Sequence, residues 1–510
     1  MIKQPQQAST RVAFNTGILY VKTLVVMGIS LYSVRLILSA LGVSDFGIFS
    51  LVAGIIAMLS FLNSAMTAST QRYLSFHQGT NDFEMQKKVF TNSWVLHLAI
   101  GAIVVVLLLL LTPFLFDGFL NIPADRIVAA KTVYYFMAVS VFFTIISVPF
   151  TASINAHENM TWIAVVNIIE SIFRLGIALS LVWFIQAERL IMYGLFMALL
   201  SFVSFMLYAV FCLKKYNECN IKRYQIDKPL IKELTSFAGW NMFGALCGVG
   251  RAQGLAVILN IFFGTIVNAA YAVAVQVSAA ASFFSQSMLR ALNPQIMQSE
   301  GMNDRERMLR LSMMASKFGF FLFAIIAIPA IFEMPAILEL WLKNVPEYAV
   351  AFCSLFLIVT LTNQITIGLQ SAIQAVGKIK VYQTAVGGVL LLNLPIALLL
   401  LRWGFPAYSV LICAVIVEVI ACVLRLILLK KIAGMSIKAY FKRVIFKGIP
   451  PLLALLAACW LITSYLTGDF RFLITSMVSA GVFLGSVYLM GLCKDEKNLL
   501  DNLAKKVIKI

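Results

Sequence analysis

The chain is 510 residues long, 61% hydrophobic and only 12% charged, with a formal net charge of +18 and a mean hydropathy of +0.92. A soluble domain carries about 25% charged residues and cannot cover this much apolar surface, which excludes a soluble enzyme and sends the length into a bilayer at roughly 20 residues per span. The basic residues sit in short loops between apolar runs, so their excess is not a nucleic-acid footprint. The eight cysteines show no C-x-x-C spacing and lie almost all within those runs, so neither a zinc site nor a disulfide framework is indicated.

Met1–Arg11 is polar, and the apolar run after it is too long for the core of a cleavable signal, so the first span is expected to stay in the chain. Apolar runs bounded by polar breaks predict about fourteen spans. The first six lie near 12–40, 46–69, 89–116, 130–155, 162–185 and 190–213. The next six lie near 235–262, 266–290, 312–332, 348–376, 382–401 and 406–429, and two more near 447–467 and 471–493. With the N-terminus in the cytosol, 29 of the 40 Lys and Arg residues fall on that side, six on the other and five within spans. Lys317 is counted in the cytosolic set and Lys343 in the opposite one. The positive-inside rule then predicts both termini in the cytosol.

The first 300 residues contain a faint copy of themselves. Gly79–Asp82, of the form Gly-x-Asn-Asp, recurs as Gly301–Asp304, 222 residues later, and the same offset carries Gly17 onto Gly239 and Gly42 onto Gly264. Each copy of the loop follows two apolar stretches and precedes a third. Secondary transporters build alternating access from such duplicated bundles, with substrate held between the repeats. The predicted architecture is therefore all-α and polytopic, with two six-helix repeats. Residues 1–233 form the N-terminal lobe and its basic connecting loop, and 234–430 the C-terminal lobe. Residues 431–510 add two further spans and a cytosolic tail.

A charged side chain at membrane depth costs roughly 2.5–3.5 kcal/mol on insertion scales, so the deep charges are the candidate site. Lys22 and Arg35 lie in span 1, Arg251 in span 7, Glu170 and Arg174 in span 5, and Glu418 and Arg425 in span 12. Arg11, Asn15 and Lys22, at intervals of four and seven, share a helical face. Arg251 is embedded in Gly244–Gly254, whose two G-x-x-x-G spacings suit close helix approach or a hinge. Lys22, Arg35 and Arg251, with the amides Asn15, Asn241 and Gln253, are the candidate substrate-binding residues; guanidinium groups grip phosphates bidentately. The plain alternative is that the glycines pack, Arg35 snorkels and the amides join helices. Glu170 and Arg174, four apart, read as an ion pair on one face, lining the path or buried between helices. Asn293-Pro-Gln-Ile296 is expected to end span 8. His77, His97 and His157 are scattered without metal-ligand spacing. No nucleophile–base constellation, phosphate-cradling loop or D-x-D is present, so a transporter without catalytic residues is expected.

Several stretches carry a family resemblance: Gly42-Val-Ser-Asp-Phe-Gly47, Val148-Pro-Phe-Thr-Ala152 with Ala156-His-Glu-Asn159, and Ser236-Phe-Ala-Gly-Trp240. Gln253-Gly254, Phe263-Gly264 with Val267-Asn-Ala-Ala270, Asn293-Pro-Gln-Ile296 and Gln374-Ala-Val-Gly-Lys378 follow in order. The set resembles the Wzx-type polysaccharide flippases of the multidrug/oligosaccharidyl-lipid/polysaccharide exporter superfamily. That resemblance implies a MATE-like fold in a bacterial inner membrane, moving undecaprenyl-diphosphate-linked oligosaccharide to the outer leaflet. It implies membrane lipids and a polysaccharide polymerase as partners, no cofactor, and proton or sodium coupling as open driving forces. The alternatives are a MATE-type drug/cation antiporter, disfavoured because the deep charges are mainly cationic, and a lipid II flippase, which charge and span count do not exclude.

Overall fold

The structure, a computed structural model, describes residues 5–57, 60–116, 120, 122–185, 188–220, 226–342, 345–468 and 470–498. The side chain of Arg11, the loop cations Lys222, Arg223 and Lys343, and the tail after residue 498 lie outside the described residues. The described regular structure is entirely helical. In the first half it comprises α1 (Pro5–Ala57), α2 (Ser60–Gly79), α3 (Phe83–Phe114), α4 (Ile127–Ile146), α5 (Val148–Ala156), α6 (Met160–Trp183) and α7 (Arg189–Lys215). Next come α8 (Lys228–Gly301), α9 (Arg305–Phe332), α10 (Met334–Leu342), α11 (Ala349–Gln364), α12 (Ile367–Val376), α13 (Ile379–Leu391) and α14 (Asn393–Arg402). Four more, α15 (Ser409–Ala433), α16 (Ile437–Tyr440), α17 (Phe446–Tyr465) and α18 (Arg471–Ser486), complete the series. The chain divides into two compact units, Phe14–Met242, and Phe243–Ile510 with Met1–Ala13.

Among the described residues eleven helices are long and apolar enough to cross a membrane, or twelve if α11 and α12, bent by 41° at their junction, form one span. Fourteen is not reached by this measure, for two physical reasons. Helix α8 runs for 74 residues, about 110 Å at 1.5 Å per residue, and counts once although Gly264 breaks it. Helix α2, carrying Asn63, Thr67, Thr70, Gln71 and Arg72, is not among the spans.

The duplication is written in the backbone. Gly42 (φ 75°) breaks α1 and Gly264 (φ 76°) breaks α8. With ψ near 180° both occupy a region essentially reserved for glycine. Asn81 (φ 56°) and Asn303 (φ 59°) take left-handed conformations, which asparagine tolerates better than most residues. Asp82 and Asp304 then cap the following helices, accepting the N–H of Met85 at 2.9 Å and of Arg307 at 3.0 Å. The Gly-x-Asn-Asp tetrapeptide is thus a helix reversal in which Asn turns the chain and Asp restarts it. A second correspondence has a different offset, 219 residues. Ser147 separates α4 from α5 and Thr366 precedes α12, while the positive-φ residues Glu158 (57°) and Gly377 (87°) follow α5 and α12. The fourth span of each repeat is therefore interrupted.

The glycine breaks carry a direct prediction. A Cβ at Gly42 or Gly264 meets nothing within 4 Å, so alanine there introduces backbone strain without a clash. Gly42→Ala and Gly264→Ala should each cost about 1–3 kcal/mol, read as lower thermal midpoints in detergent. Unchanged midpoints in both would show that the breaks can relax.

Two expectations are corrected within Phe243–Ile510, and a third gains its geometry. Pro294 does not end the helix, which continues to Gly301. Proline removes one backbone hydrogen bond, but Leu292, Ile296 and Met297 are buried with Leu369 and Ile373 of α12, and that packing carries the helix on. In the Gly244–Gly254 segment Gly244 and Gly254 allow close approach, one of the two uses expected of this stretch. A Cβ at Gly244 would lie 1.9 Å from Gln383 Oε1, and one at Gly254 2.7 Å from Leu394 Cδ2. Lys317, counted among loop cations, is 1% exposed inside α9.

Lys317 explains how the last two helices are held. Its ammonium pairs with Glu496 and donates to Gly491 O at 3.2 Å. Toward the other end of α9, Glu333 (1% exposed) accepts from Arg471 at 3.0 and 3.2 Å and from Thr475 at 2.8 Å. Between these bolts Phe320, Phe321, Ala324 and Ile328 pack on Leu455, Cys459 and Phe483 of α17 and α18.

Candidate functional site

A largely buried polar cluster lies in Phe243–Ile510, at the break between α11 and α12. A broken helix leaves backbone groups that must find partners away from water. Tyr440 OH donates to Ile365 O, and Cys422 Sγ donates to Thr362 O at 3.3 Å. Arg425 donates to Thr366 Oγ1 at 3.0 Å, to Tyr382 OH at 3.3 Å and to Glu418 Oε1 at 2.9 Å. Glu418 also accepts from Asn363 Nδ2 at 2.8 Å and from Arg251 Nη1 at 3.2 Å. One carboxylate therefore serves two guanidinium groups, leaving the cluster a net positive charge. Side-chain exposure separates the two arginines: 5% for Arg425 and 21% for Arg251, against 1% for Glu418. Arg425 is structural cement for the break; Arg251 is the cation with spare N–H groups and access.

Arg251 thus has a definite setting, with Glu418 as its partner. Gln253, two residues on, is exposed, while Asn241 is buried and donates to Phe237 O of its own helix at 3.1 Å. Asn363, Thr366 and Tyr382 were not singled out from the sequence. The signal available was Glu418 and Arg425 seven apart, two turns along one face, with the polar run Thr360–Thr366 in an otherwise apolar span.

In Phe14–Met242 the candidate residues separate. Asn15 is buried and donates from Nδ2 to Glu158 O at 2.8 Å, so its amide fixes α1 to the turn after α5. Lys22 lines a groove of ≈ 440 Å³ whose walls include Phe14, Ile18, Val21, Ala164 and Ile168. Arg35 is exposed. Glu170 is half-buried and Arg174 exposed, and no salt bridge joins them among the described residues; the expected pair is not formed. The polar stripe instead bonds outward and along the helix, with Asn167 donating to Tyr208 OH at 3.1 Å and Ser171 to Asn167 O at 2.9 Å.

Two resemblance motifs have structural duties here. Asp45, just past the Gly42 break, holds Arg126, which also reaches Glu188 at 3.2 Å. In Ala156-His-Glu-Asn159, Asn159 caps α6 through the Trp162 N–H and donates to Tyr216 OH at 3.2 Å. His157 Nε2 lies 2.5 Å from Glu218 Oε1 and its ring stacks on Tyr216 at 4.0 Å. Burial pushes the Glu218 carboxyl up, but the hydrogen bond and charge of His157 outweigh it and hold the group below its ordinary value. A carboxyl lowered in the folded state stabilises above its unfolded pKa, and that stabilisation is lost as pH falls through the folded value. Wild-type thermal stability should therefore drop more between about pH 5 and pH 3, at and below ordinary carboxyl titration, than that of Glu218→Gln. Parallel melting curves would remove Glu218 from the account.

Duplicated helical units with interrupted fourth spans and cations on apolar helices define the class: a multi-pass membrane transporter. The fold is shared with a MATE crystallised in the bent conformation, at TM-score 0.73 and 13% identity over 87% of this chain and 99% of that one. Residues 12–300 match the family model for polysaccharide biosynthesis proteins, and the chain belongs to that family, the family of Wzx-type polysaccharide flippases. Similar likeness is found to an outward-facing multidrug resistance MATE family transporter of the MOP superfamily (TM-score 0.70, 13% identity, 86% of this chain and 96% of that one). A MOP superfamily transporter from Pyrococcus furiosus, described by a reversed polarity of its binding pocket that suggests a different function, matches at TM-score 0.69 and 13% identity, over 84% of this chain and 96% of that one. No curated protein sequence is detectably similar.

Proposed function

We propose that this transporter flips undecaprenyl-diphosphate-linked oligosaccharide repeat units from the inner to the outer leaflet of a bacterial cytoplasmic membrane by alternating access, with both termini in the cytosol. The observation that carries the reading is the net positive cluster around Glu418, with Arg251 as its accessible member. A lipid diphosphate supplies the missing negative charge, and a guanidinium already held by one carboxylate is oriented to bind a second anion with its remaining N–H groups. Lys22, on the wall of an apolar groove within its own unit, suits an amphiphile of this kind: a phosphate beside a hydrocarbon chain. Arg35 and Gln253, both exposed, are available to the sugars or to water, while Asn15 and Asn241 position their helices. Glu418 is committed to two arginines, which leaves Glu170 as the carboxylate for proton or sodium coupling. An outer-leaflet polymerase that consumes the product is the partner this reading requires.

Arg251→Ala is a clean test, because it leaves Glu418 and Arg425 as a neutral pair and spares the fold. A charged hydrogen bond is worth about 1.5–3 kcal/mol, so export should fall roughly 10- to 100-fold at unchanged protein level. Complete lipid-linked repeat units should then accumulate on the cytoplasmic leaflet. Wild-type surface polysaccharide with a normal leaflet distribution would sink the role of Arg251.

A further inference from the structure

A second groove, of ≈ 700 Å³, runs along α6 and α7 and has no part in the transport reading. Phe202, Met206 and Val210 form its apolar wall, and Trp162 and Phe211 also line it, stacked at 4.3 Å and 10° from parallel. Lys214 and Lys215, in the last turn of α7, line the groove too. The Lys215 ammonium lies 5.1 Å from the Phe211 ring centroid, so the cation sits against the aromatic pair. Both lysines are exposed, and neither meets a carboxylate within 4 Å among the described residues. The buried Trp162 Nε1–H has no acceptor among them either.

A long hydrocarbon wall ending at two cations describes the complement of an amphiphile with an anionic head. We infer that this groove binds an anionic bilayer phospholipid, with an acyl chain along Phe202, Met206 and Val210 and the phosphate at Lys214 and Lys215. A zwitterionic lipid fills the apolar wall equally well, but its own ammonium competes with the lysines for the phosphate. Polybasic contacts of this kind supply selectivity for anionic lipid and weaken as salt rises. The expected preference for phosphatidylglycerol over phosphatidylcholine is roughly tenfold.

The test uses the full chain in phosphatidylcholine vesicles doped with brominated phosphatidylglycerol or brominated phosphatidylcholine. The Trp162 contribution is read as the difference in tryptophan quenching between wild type and Trp162→Phe. Brominated phosphatidylglycerol should quench that component at a roughly tenfold lower mole fraction, and the Lys214→Gln/Lys215→Gln double variant should bring the two curves together. Raising salt in the wild type should do the same. Equal quenching by both lipids in wild type, or a preference that survives the double variant, overturns the inference. Absence of quenching by either lipid also overturns it, because the groove is then covered by something other than lipid.

Discussion

Glu418→Ala should destabilise the transporter by about 3–5 kcal/mol, the usual cost of leaving buried charge without its partner. The size follows from what the carboxylate holds. Removing it leaves Arg425, 5% exposed, with only neutral acceptors, and frees Arg251 at the same time. Asn363 loses the acceptor of its 2.8 Å hydrogen bond as well. At roughly 2–4 °C per kcal/mol for a body of this size, the thermal midpoint in detergent should fall by about 10 °C. Glu418→Gln keeps an acceptor for Asn363 and should lose less. Replacing both members, Glu418→Leu with Arg425→Met, should recover part of the loss, since apolar replacement of a buried pair is often neutral. A Glu418→Ala midpoint within a degree or two of wild type would mean that water or lipid reaches the cluster.

Glu496→Ala should release the C-terminal helices from α9. Lys317 is 1% exposed and loses its counter-ion, retaining the Gly491 carbonyl, a weak Cys493 contact at 3.7 Å and the Phe318 ring at 5.7 Å. The cost is again about 3–5 kcal/mol, concentrated at one end of the α9–α17–α18 packing. The readout is local: Cys493 should react faster with a maleimide than in wild type, while Cys353, buried in another cluster, should not change. Lys317→Met should be milder, because it removes the buried charge along with the pair. Adding Arg471→Ala opens the bolt at Glu333 and should expose Cys459 in turn. Wild-type labelling of Cys493 in Glu496→Ala would show that the apolar contacts alone hold the helices.

The fold was legible where the sequence repeats itself at short range. Gly42 with Gly264, Asn81 with Asn303 and Asp82 with Asp304 keep residue type because each position demands it: a glycine-only backbone, a left-handed turn, a helix cap. The breaks before α5 and α12 escaped notice because their demands are met differently, by Ser147 ahead of Val148-Pro149 in one repeat and by Thr366 ahead of Ile367-Gly368 in the other. Charge pairing was legible only as far as one helix reaches. Glu170 and Arg174 have favourable spacing yet do not pair, whereas Glu418 is joined to Arg251 across 167 residues of chain and Lys317 to Glu496 across 179. Lys317 follows Arg305, Arg307 and Arg310 and so reads as one more loop cation; only the fold brings Glu496 to it.

The unequal count around Glu418, two cations to one anion, makes this half of the transporter electrically visible. A neutral pair carried through a membrane field does no electrical work, but a single residual charge does, about 2.3 kcal/mol per 100 mV for a full crossing. Any conformational step that shifts Arg251 and its partners through a fraction of the field is thereby sped or slowed by the membrane potential. With the doubly anionic cargo proposed above bound, the sign of that dependence would reverse, and the empty and loaded carriers would be driven by the same voltage in opposite directions.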